Sequence, residues 1–194
     1  MNLSIIVPVY NSSKILKTLV KRIKTNLRTK NYEIIFINDA SLDNSWNEIK
    51  KISKKNKKVK GINLSENFGQ HSAIFAGLKY AKGKKIITMD DDLQHPPESI
   101  EDIMSKLNKH DLCYTIYLKR KHIFWKRSVS WVNNIFSSFL FNKPIHIYFS
   151  SFRGFDVKLL NQIVKDRNPI VFIDGLLLKY AKKICVINVR HKKR

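Results

Sequence analysis

The run Leu3-Ser4-Ile5-Ile6-Val7-Pro8-Val9 lies at the start of the chain and predicts a buried β-strand. The residues after it predict an amphipathic helix with Ser12 or Ser13 as its cap. The apolar face of this helix is formed by Ile15, Leu16, Leu19, Val20 and Ile23. A strand followed directly by such a helix is typical of an alternating α/β fold.

The alternation continues along the chain. Further strands are predicted at 32–38, 59–64, 86–90 and 112–118. Helices are predicted at 43–52, 69–81 and 97–107. We therefore expect a single α/β domain over residues 1–194, built on an open, mainly parallel, Rossmann-like sheet flanked by helices. Ligands of such sheets bind beyond the carboxyl ends of the strands, where the strand order reverses.

Composition limits the environment and the partners. The net charge of +22 over 194 residues favours anionic partners, namely nucleic acid, acidic lipid headgroups or phosphorylated substrates. Cys113 and Cys185 stand far apart in apolar stretches, which predicts buried thiols and a reducing compartment. The sequence shows no signal-peptide pattern and no apolar run long enough to span a bilayer. These features favour a cytoplasmic location.

Three adjacent carboxylates follow the strand predicted at 86–90, in the segment Asp90-Asp91-Asp92-Leu93-Gln94. Like charges this close are costly unless a cation or several hydrogen-bond donors compensate them. Carboxylate and amide oxygens suit Mg2+ or Mn2+, so Asp90, Asp92 and Gln94 are candidate ligands. The alternative is a surface turn whose acids cap a helix beginning at Pro96-Pro97-Glu98.

Polar residues also follow the earlier strands. Tyr10 after the first strand can stack on a base, and Asp39 after the second can accept hydrogen bonds from a base or ribose. Local roles remain open for each residue alone, with Asn11 in an Asx turn and Asp39 as a helix cap. The absence of Gly-x-Gly-x-x-Gly and Walker motifs argues against dinucleotide dehydrogenases and P-loop enzymes.

Four segments carry a resemblance to a known family. They are Ile5-Ile6-Val7-Pro8-Val9-Tyr10-Asn11, Phe36-Ile37-Asn38-Asp39-Ala40-Ser41, Asn67-Phe68-Gly69-Gln70-His71-Ser72-Ala73 and Met89-Asp90-Asp91-Asp92-Leu93-Gln94-His95-Pro96-Pro97-Glu98. Together they resemble glycosyltransferase family 2, most of all the polyprenyl-phosphate glycosyltransferases such as dolichyl-phosphate mannosyltransferase and undecaprenyl-phosphate aminoarabinose transferase. The likeness covers roughly residues 3–100 and thins beyond them.

The resemblance implies a GT-A fold, a UDP- or GDP-linked sugar donor, Mg2+ or Mn2+, and a polyprenyl phosphate acceptor. It puts Asp91 beside the donor and Asp90, Asp92 and Gln94 at the metal and diphosphate. The nucleotide pocket is expected to be lined by Pro8, Tyr10, Asn11, Asp39 and Asn67. The acceptor phosphate is expected to be bound by Arg127, Ser151, Arg153 and Arg194. The catalytic residues are expected to be Asp90, Asp92 and Arg153.

The chain also departs from the family pattern. Ser12 stands where the family usually has an acid, and Ala40 where it usually has Gly. The sequence given stops at Arg194, where relatives continue into a Gly-x-Ser-Lys-Tyr-like segment. Three alternatives stay open: the sequence is cut relative to those relatives, a companion chain supplies the rest, or activity is compromised. The partner expected here is a companion membrane protein or a second copy of the chain.

A basic, aromatic segment at 119–141 predicts contact with the membrane. Lys126 and Arg127 precede apolar residues at helical spacing, which suits an interface with acidic lipid and a peripheral position at the cytoplasmic face. A helix packed on the sheet is the alternative.

Two other functions stay open: a family 2 enzyme with a soluble saccharide or protein acceptor, and a basic nucleic-acid-binding domain. We expect no nucleic acid partner, because the aromatic residues are not interleaved with the basic ones and three adjacent aspartates repel phosphate without a metal.

Overall fold

The structure is a computed structural model that describes residues 1–118, 148–166 and 171–190. Its strands are β1 Leu3–Val9, β2 Tyr32–Asn38, β3 Val59–Asn63, β4 Lys85–Thr88, β5 Leu112–Leu118, β6 Arg153–Asp156 and β7 Ile184–Arg190. Its helices are α1 Leu16–Asn26, α2 Ser45–Lys55, α3 Gln70–Leu78, α4 Ile100–Lys106, α5 Val157–Lys165 and α6 Ile173–Tyr180, and a 3-10 turn at Pro97–Ser99 precedes α4.

The seven strands form one sheet in the order β3-β2-β1-β4-β6-β5-β7. β1 pairs in parallel with β2 and β4, and β2 pairs in parallel with β3. β6 runs antiparallel to both of its neighbours, while β5 and β7 are parallel. The prediction of an open, mainly parallel α/β sheet is confirmed. The strand order reverses between β1 and β4, so that is where a ligand site is expected.

Helices cover both faces of the sheet. On one face α1, α2 and α4 pack against strand residues such as Ile5 and Val7. On the other face α3, α5 and α6 pack against residues such as Ile6 and Ile35. Successive residues of β1 therefore enter different cores, as the two-residue period of a strand requires.

The predicted start of the first helix is wrong. α1 begins at Leu16, and neither Ser12 nor Ser13 caps it. The backbone N–H of Ser12 donates to Ser45 Oγ, and that of Ser13 donates to Asp43 Oδ2. These residues therefore join the β1–α1 loop to the β2–α2 loop instead of capping a helix.

The other predicted elements are present, several of them with shifted ends. The strands predicted at 32–38 and 112–118 have the predicted bounds. The strand predicted at 86–90 ends at Thr88, so the three aspartates lie in the loop after it. The helix predicted from residue 43 begins at Ser45, and the one predicted at 69–81 is Gln70–Leu78.

Cys113 and Cys185 are distant in sequence yet neighbours in the sheet, because they pair across β5 and β7. Both are free thiols, Cys113 buried and Cys185 partly buried. Burial raises the pKa of the Cys113 thiol, and the nearby Cys185 raises it further. The described pair is therefore protonated at neutral pH.

The predicted membrane segment at 119–141, with Arg127, and the terminal Arg194 lie outside the described residues. Within the described ranges no helix has the length and apolar character needed to cross a membrane.

Candidate functional site

A pocket of about 280 Å³ lies at the carboxyl ends of β1, β2 and β4, on the edge where the strand order reverses. Its lining residues are Pro8, Val9, Tyr10, Asp39, Asn67, Gly69, Gln70, Asp90 and Asp91. The structure thus brings together six of the residues predicted from sequence, namely Pro8, Tyr10, Asn67, Asp39, Asp90 and Asp91.

Asn11 ties together the two loops beside the pocket. Its Oδ1 accepts hydrogen bonds from the backbone N–H groups of Leu42 (2.8 Å) and Asp43 (3.3 Å). Its own N–H donates to Ser41 Oγ at 3.0 Å. Both Asn11 and Ala40 have left-handed backbone conformations, with φ of 54° and 51°. Asn11 is not among the residues that line the pocket, so its visible role is to hold the loops that do.

Asp39 is buried, with 3% of its surface exposed, at the end of β2. Its two carboxylate oxygens accept from the N–H groups of Phe68 and Gly69, each at 2.9 Å. Gly69 has φ of +81° and directly precedes α3, a conformation that L side chains rarely adopt. Asp39 therefore fixes the loop before α3 while also lining the pocket. Asp39 is not a helix cap, because neither α2 nor α3 has a side-chain cap hydrogen bond.

Asp90 is held by side chains from three separate parts of the chain. Gln70 Nε2 donates to Asp90 Oδ1 at 2.6 Å, and Ser151 Oγ donates to Oδ2 at 2.7 Å. The ring of His95 accepts at Nδ1 from the Asp90 N–H (2.9 Å) and has Nε2 3.4 Å from Oδ2. His95 itself is buried and stacks on Phe152, with ring centroids 5.1 Å apart. The orientation of the Asp90 carboxylate is therefore set before any ligand binds.

Asp91 and Asp92 continue the acidic turn. The N–H of Tyr10 donates to Asp91 Oδ2 at 3.3 Å. Burial raises the pKa of Asp91, and the neighbouring carboxylates of Asp90 and Asp92 raise it further. The N–H of Gln94 donates to Asp92 Oδ1 at 3.0 Å. Negative charge is thus concentrated here, on the side of the pocket formed by β1 and β4.

The metal prediction concerns Asp90, Asp92 and Gln94. Among the described residues no group of three or more His, Cys, Asp and Glu side chains is arranged to hold a metal ion. The acidic turn nevertheless offers hard oxygen ligands, and burial together with the charges of Asp90 and Asp92 raises the pKa of Asp91. Mg2+ takes only one or two carboxylates and completes its shell with water and substrate phosphates, so the donor set fits an ion that arrives with a diphosphate.

Arg153 lies in the protein interior, where only 1% of its surface is exposed. Its guanidinium forms an ion pair with Asp174 and donates to the backbone oxygen of Ser150 at 3.2 Å. Tyr114 Oη also donates to Asp174, at 2.8 Å. A role for Arg153 at an acceptor phosphate stays a prediction, and it would require this buried pair to open.

Gln70 and His95 contact Asp90 at the site, and the sequence analysis gave neither of them a role. It also missed Asp174, the buried partner of Arg153. Gln70 had a signal, because it opens the helix that follows the third polar strand end. Asp174 had none, since its partner Arg153 reaches it only through the packing of α6 on the sheet.

Comparison with known proteins gives two findings. The family model described as Glycosyl transferase family 2 matches residues 4–164. The fold is similar to that of TarS from S. aureus in complex with UDP, with a TM-score of 0.66, 20% identity and coverage of 96% of this chain and 57% of that chain. The chain therefore spans less than two thirds of the TarS length.

The fold is also similar to that of glucosyl-3-phosphoglycerate synthase from Mycobacterium tuberculosis in complex with Mn2+, UDP and phosphoglyceric acid. The TM-score is 0.69 at 15% identity, with coverage of 100% of this chain and 71% of that chain. At these identities the likeness shows the fold, which is GT-A. With the family match extending from residue 4 to residue 164, the chain belongs to glycosyltransferase family 2.

Proposed function

We propose that the chain is a metal-dependent, inverting glycosyltransferase that moves a sugar from a UDP- or GDP-linked donor to a polyprenyl phosphate. The observation that carries the donor half is the pocket at the strand-order reversal, where Asp39, Asn67 and Asp91 meet. The UDP in the TarS structure and the UDP-glucose in a structure of the mycobacterial enzyme support a nucleotide-sugar donor.

The residues divide the work of such a transfer. Tyr10 and Asp39 bind the base and ribose, and Asp92 with Gln94 would hold Mg2+ or Mn2+ against the diphosphate. The metal, when bound, neutralises charge on the departing nucleoside diphosphate. Gln70 and Ser151 keep the Asp90 carboxylate oriented. The remaining requirement is alignment of the acceptor with the sugar.

A phosphate acceptor removes the need for a general base. A monophosphate has a second pKa near 6, so its oxygen is largely anionic at neutral pH and is already a nucleophile. In-line attack from the face opposite the nucleotide is a single displacement, which inverts the configuration at the sugar carbon. Ser151 Oγ donates to Asp90 Oδ2, which supports our proposal that Ser151 lies near such an acceptor.

The lipid-linked acceptor is supported by the resemblance and by charge. The net charge of +22 and the basic, aromatic segment at 119–141 suit a protein that works at an anionic membrane surface. We therefore propose a peripheral position at the cytoplasmic face of the membrane. A companion membrane protein or a second copy of the chain remains part of this proposal.

A soluble phosphorylated acceptor is the second candidate. It is favoured by the mycobacterial structure, which contains phosphoglyceric acid and has a TM-score of 0.69 to this chain. Transfer assays with a matched pair of acceptors, a short-chain polyprenyl phosphate and 3-phosphoglycerate, separate the two candidates. Product only with the prenyl compound supports our proposal, and product only with the soluble acid overturns its acceptor half.

The donor half is tested by titration calorimetry with UDP and GDP, with and without Mn2+. We expect tight binding only with the metal, and we expect Asp92→Asn to remove that metal dependence while the protein stays folded. Asp102→Asn, an exposed acid on α4, is the matched control. Equal affinity with and without Mn2+ in the unaltered protein would contradict the metal dependence.

A further inference from the structure

Leu93, in the middle of the acidic turn, has a left-handed backbone conformation with φ of +66°. This region is uncommon for residues other than Gly, Asn and Asp, and it disfavours a branched side chain. Leu93 also packs against the buried core on the side of α1, α2 and α4. Such a conformation persists only where the surrounding structure holds it.

Arg22 of α1 makes the contacts that stabilise this conformation of Leu93. Its Nη1 donates to the backbone oxygen of Leu93 at 2.9 Å. Its Nη2 lies 3.8 Å from Glu98 Oε2, in the 3-10 turn that follows the acidic segment. The side chain is only 22% exposed. One planar guanidinium therefore contacts the acidic turn at Leu93 and the chain beyond it at Glu98.

The residues on either side of Leu93 are Asp92 and Gln94. The N–H of Gln94 closes the turn by donating to Asp92 Oδ1 at 3.0 Å. If φ at Leu93 relaxed to a negative value, the chain would rotate at this point and the Gln94 N–H would no longer be directed at Asp92 Oδ1. The contact that closes the turn between Asp92 and Gln94 thus depends on the left-handed residue between them.

We propose that Arg22 is a positioning residue that holds Asp92 and Gln94 in the arrangement that binds a metal-bound nucleoside diphosphate. This inference rests on the proposed function. Arg22 acts through the Leu93 carbonyl and through Glu98, from behind the turn. Arginine suits this role better than lysine, because a lysine ammonium is a single point charge and can reproduce only one of the two separated contacts.

The test is calorimetry of UDP and GDP binding as a function of Mn2+ concentration. For Arg22→Ala we expect the Mn2+ concentration at half-maximal binding to rise about tenfold or more, the usual effect of losing a group that orients metal ligands. Arg22→Lys should recover part of this loss. The matched control is Arg28→Ala, an exposed arginine just beyond the end of α1, which should behave as the unaltered protein. An unchanged Mn2+ requirement in Arg22→Ala overturns the inference.

A second measurement is independent of nucleotide and metal. In hydrogen exchange, Arg22→Ala should speed exchange of the segment 90–96 while β1 and β2 stay protected.

A double-mutant cycle tests whether Arg22 acts by holding the backbone of Leu93. In a Leu93→Gly background a positive φ carries no steric cost, so removing Arg22 should alter the Mn2+ requirement less than it does in the unaltered background. Equal effects in both backgrounds would show that Arg22 acts by another route.

The outcomes also separate this inference from the proposed function. If the unaltered protein binds neither nucleotide with Mn2+, the proposed function fails, and the role of Arg22 toward the diphosphate fails with it. If that protein binds with Mn2+ and Arg22→Ala binds equally well, only the inference about Arg22 fails. If hydrogen exchange of residues 90–96 stays slow in Arg22→Ala, Arg22 does not stabilise the acidic turn, whatever the nucleotide-binding result.

Discussion

Ala40 has φ of +51°, and the family usually has glycine at this position. An L residue with a β-carbon is disfavoured in this region, whereas glycine enters it freely. We expect Ala40→Gly to raise the free energy of unfolding by up to about 1 kcal/mol, the steric relief being partly offset by the greater entropy of the unfolded chain. Urea denaturation measures the effect. Ala73→Gly, inside α3, should be destabilising, and equal losses in both variants would contradict the explanation.

Asp91 is a residue at which function and stability are expected to conflict. Its pKa is raised by burial and by two adjacent carboxylates, so the charged form is less favourable in the folded state than in the unfolded state. At neutral pH the ionised group therefore lowers stability, and Asp91→Asn should raise the melting temperature. Thermal unfolding without metal measures this, with Asp102→Asn as the exposed control. A lower melting temperature for Asp91→Asn would refute the assignment.

Several residues of the site could be predicted from their position directly after a strand. Asp39 and Asp90 could be predicted because they follow strands, and parallel strands end on one edge. What these carboxylates bond to could not be predicted. Asp39 accepts from Phe68 and Gly69, residues that a different loop conformation would direct elsewhere.

At the scale of elements, the β1–α1 and β2–α2 loops are joined through Asp43. Burial acts to raise the pKa of Asp43, but hydrogen bonds from Ser45 and Ser13 outweigh it and lower the pKa from 3.8 to about 2. A lowered carboxyl pKa contributes stability that is present above pH 3.8 and is lost as the pH falls toward 2. We therefore expect Asp43→Asn to lose stability at pH 6 but to differ little from the unaltered protein near pH 2.

Urea unfolding across this pH range measures the difference between the two proteins. The matched control is Glu66→Gln, an exposed acid in the loop after β3. A stability difference for Asp43→Asn that is constant from pH 6 to pH 2 would mean that the carboxylate charge has no part in joining the loops.

Elements with strong apolar patterns were predicted well, and short or polar ones were not. Ser12 and Ser13 have the composition of helix caps, but loop contacts use their backbone groups. β6 has only four residues and includes Gly154, so no alternation marks it as a strand. The glycine is required because a β-carbon there would overlap the side chain of Ile103 in α4.

At the scale of the whole molecule, charge leads to a prediction about membranes. Each basic residue near an anionic surface contributes about 1 kcal/mol, so a protein of net charge +22 should bind acidic vesicles at low salt and dissociate as salt is added. Vesicle co-sedimentation measures this. Neutral phosphatidylcholine vesicles are the control for the lipid.

A second comparison tests the segment that we expect to face the membrane. Lys126→Glu with Arg127→Glu should weaken vesicle binding more than Lys54→Glu with Lys55→Glu, which makes the same charge change at the exposed end of α2. Equal binding to neutral and acidic vesicles, or equal losses in the two double variants, would favour a soluble acceptor.

The two halves of the sheet differ in how far the sequence predicts them. Strands β1 to β4 alternate with helices α1 to α3, and right-handed crossovers then limit their arrangement. β5 pairs with β7, so that Cys113 lies opposite Cys185 in the sheet. These two strands are far apart in the sequence, and no local pattern encodes their pairing. The fold class was therefore predictable, whereas this half of the strand order was not.

The position of β6 has a consequence for the newly made chain. β6 lies between β4 and β5 in the sheet but follows both of them in the sequence. A ribosome therefore completes two strands before it makes the strand that joins them. Until then, each presents an unpaired edge on which a strand of another chain can form hydrogen bonds. The nascent protein is exposed to edge-to-edge aggregation until residues 153–156 emerge and close this gap.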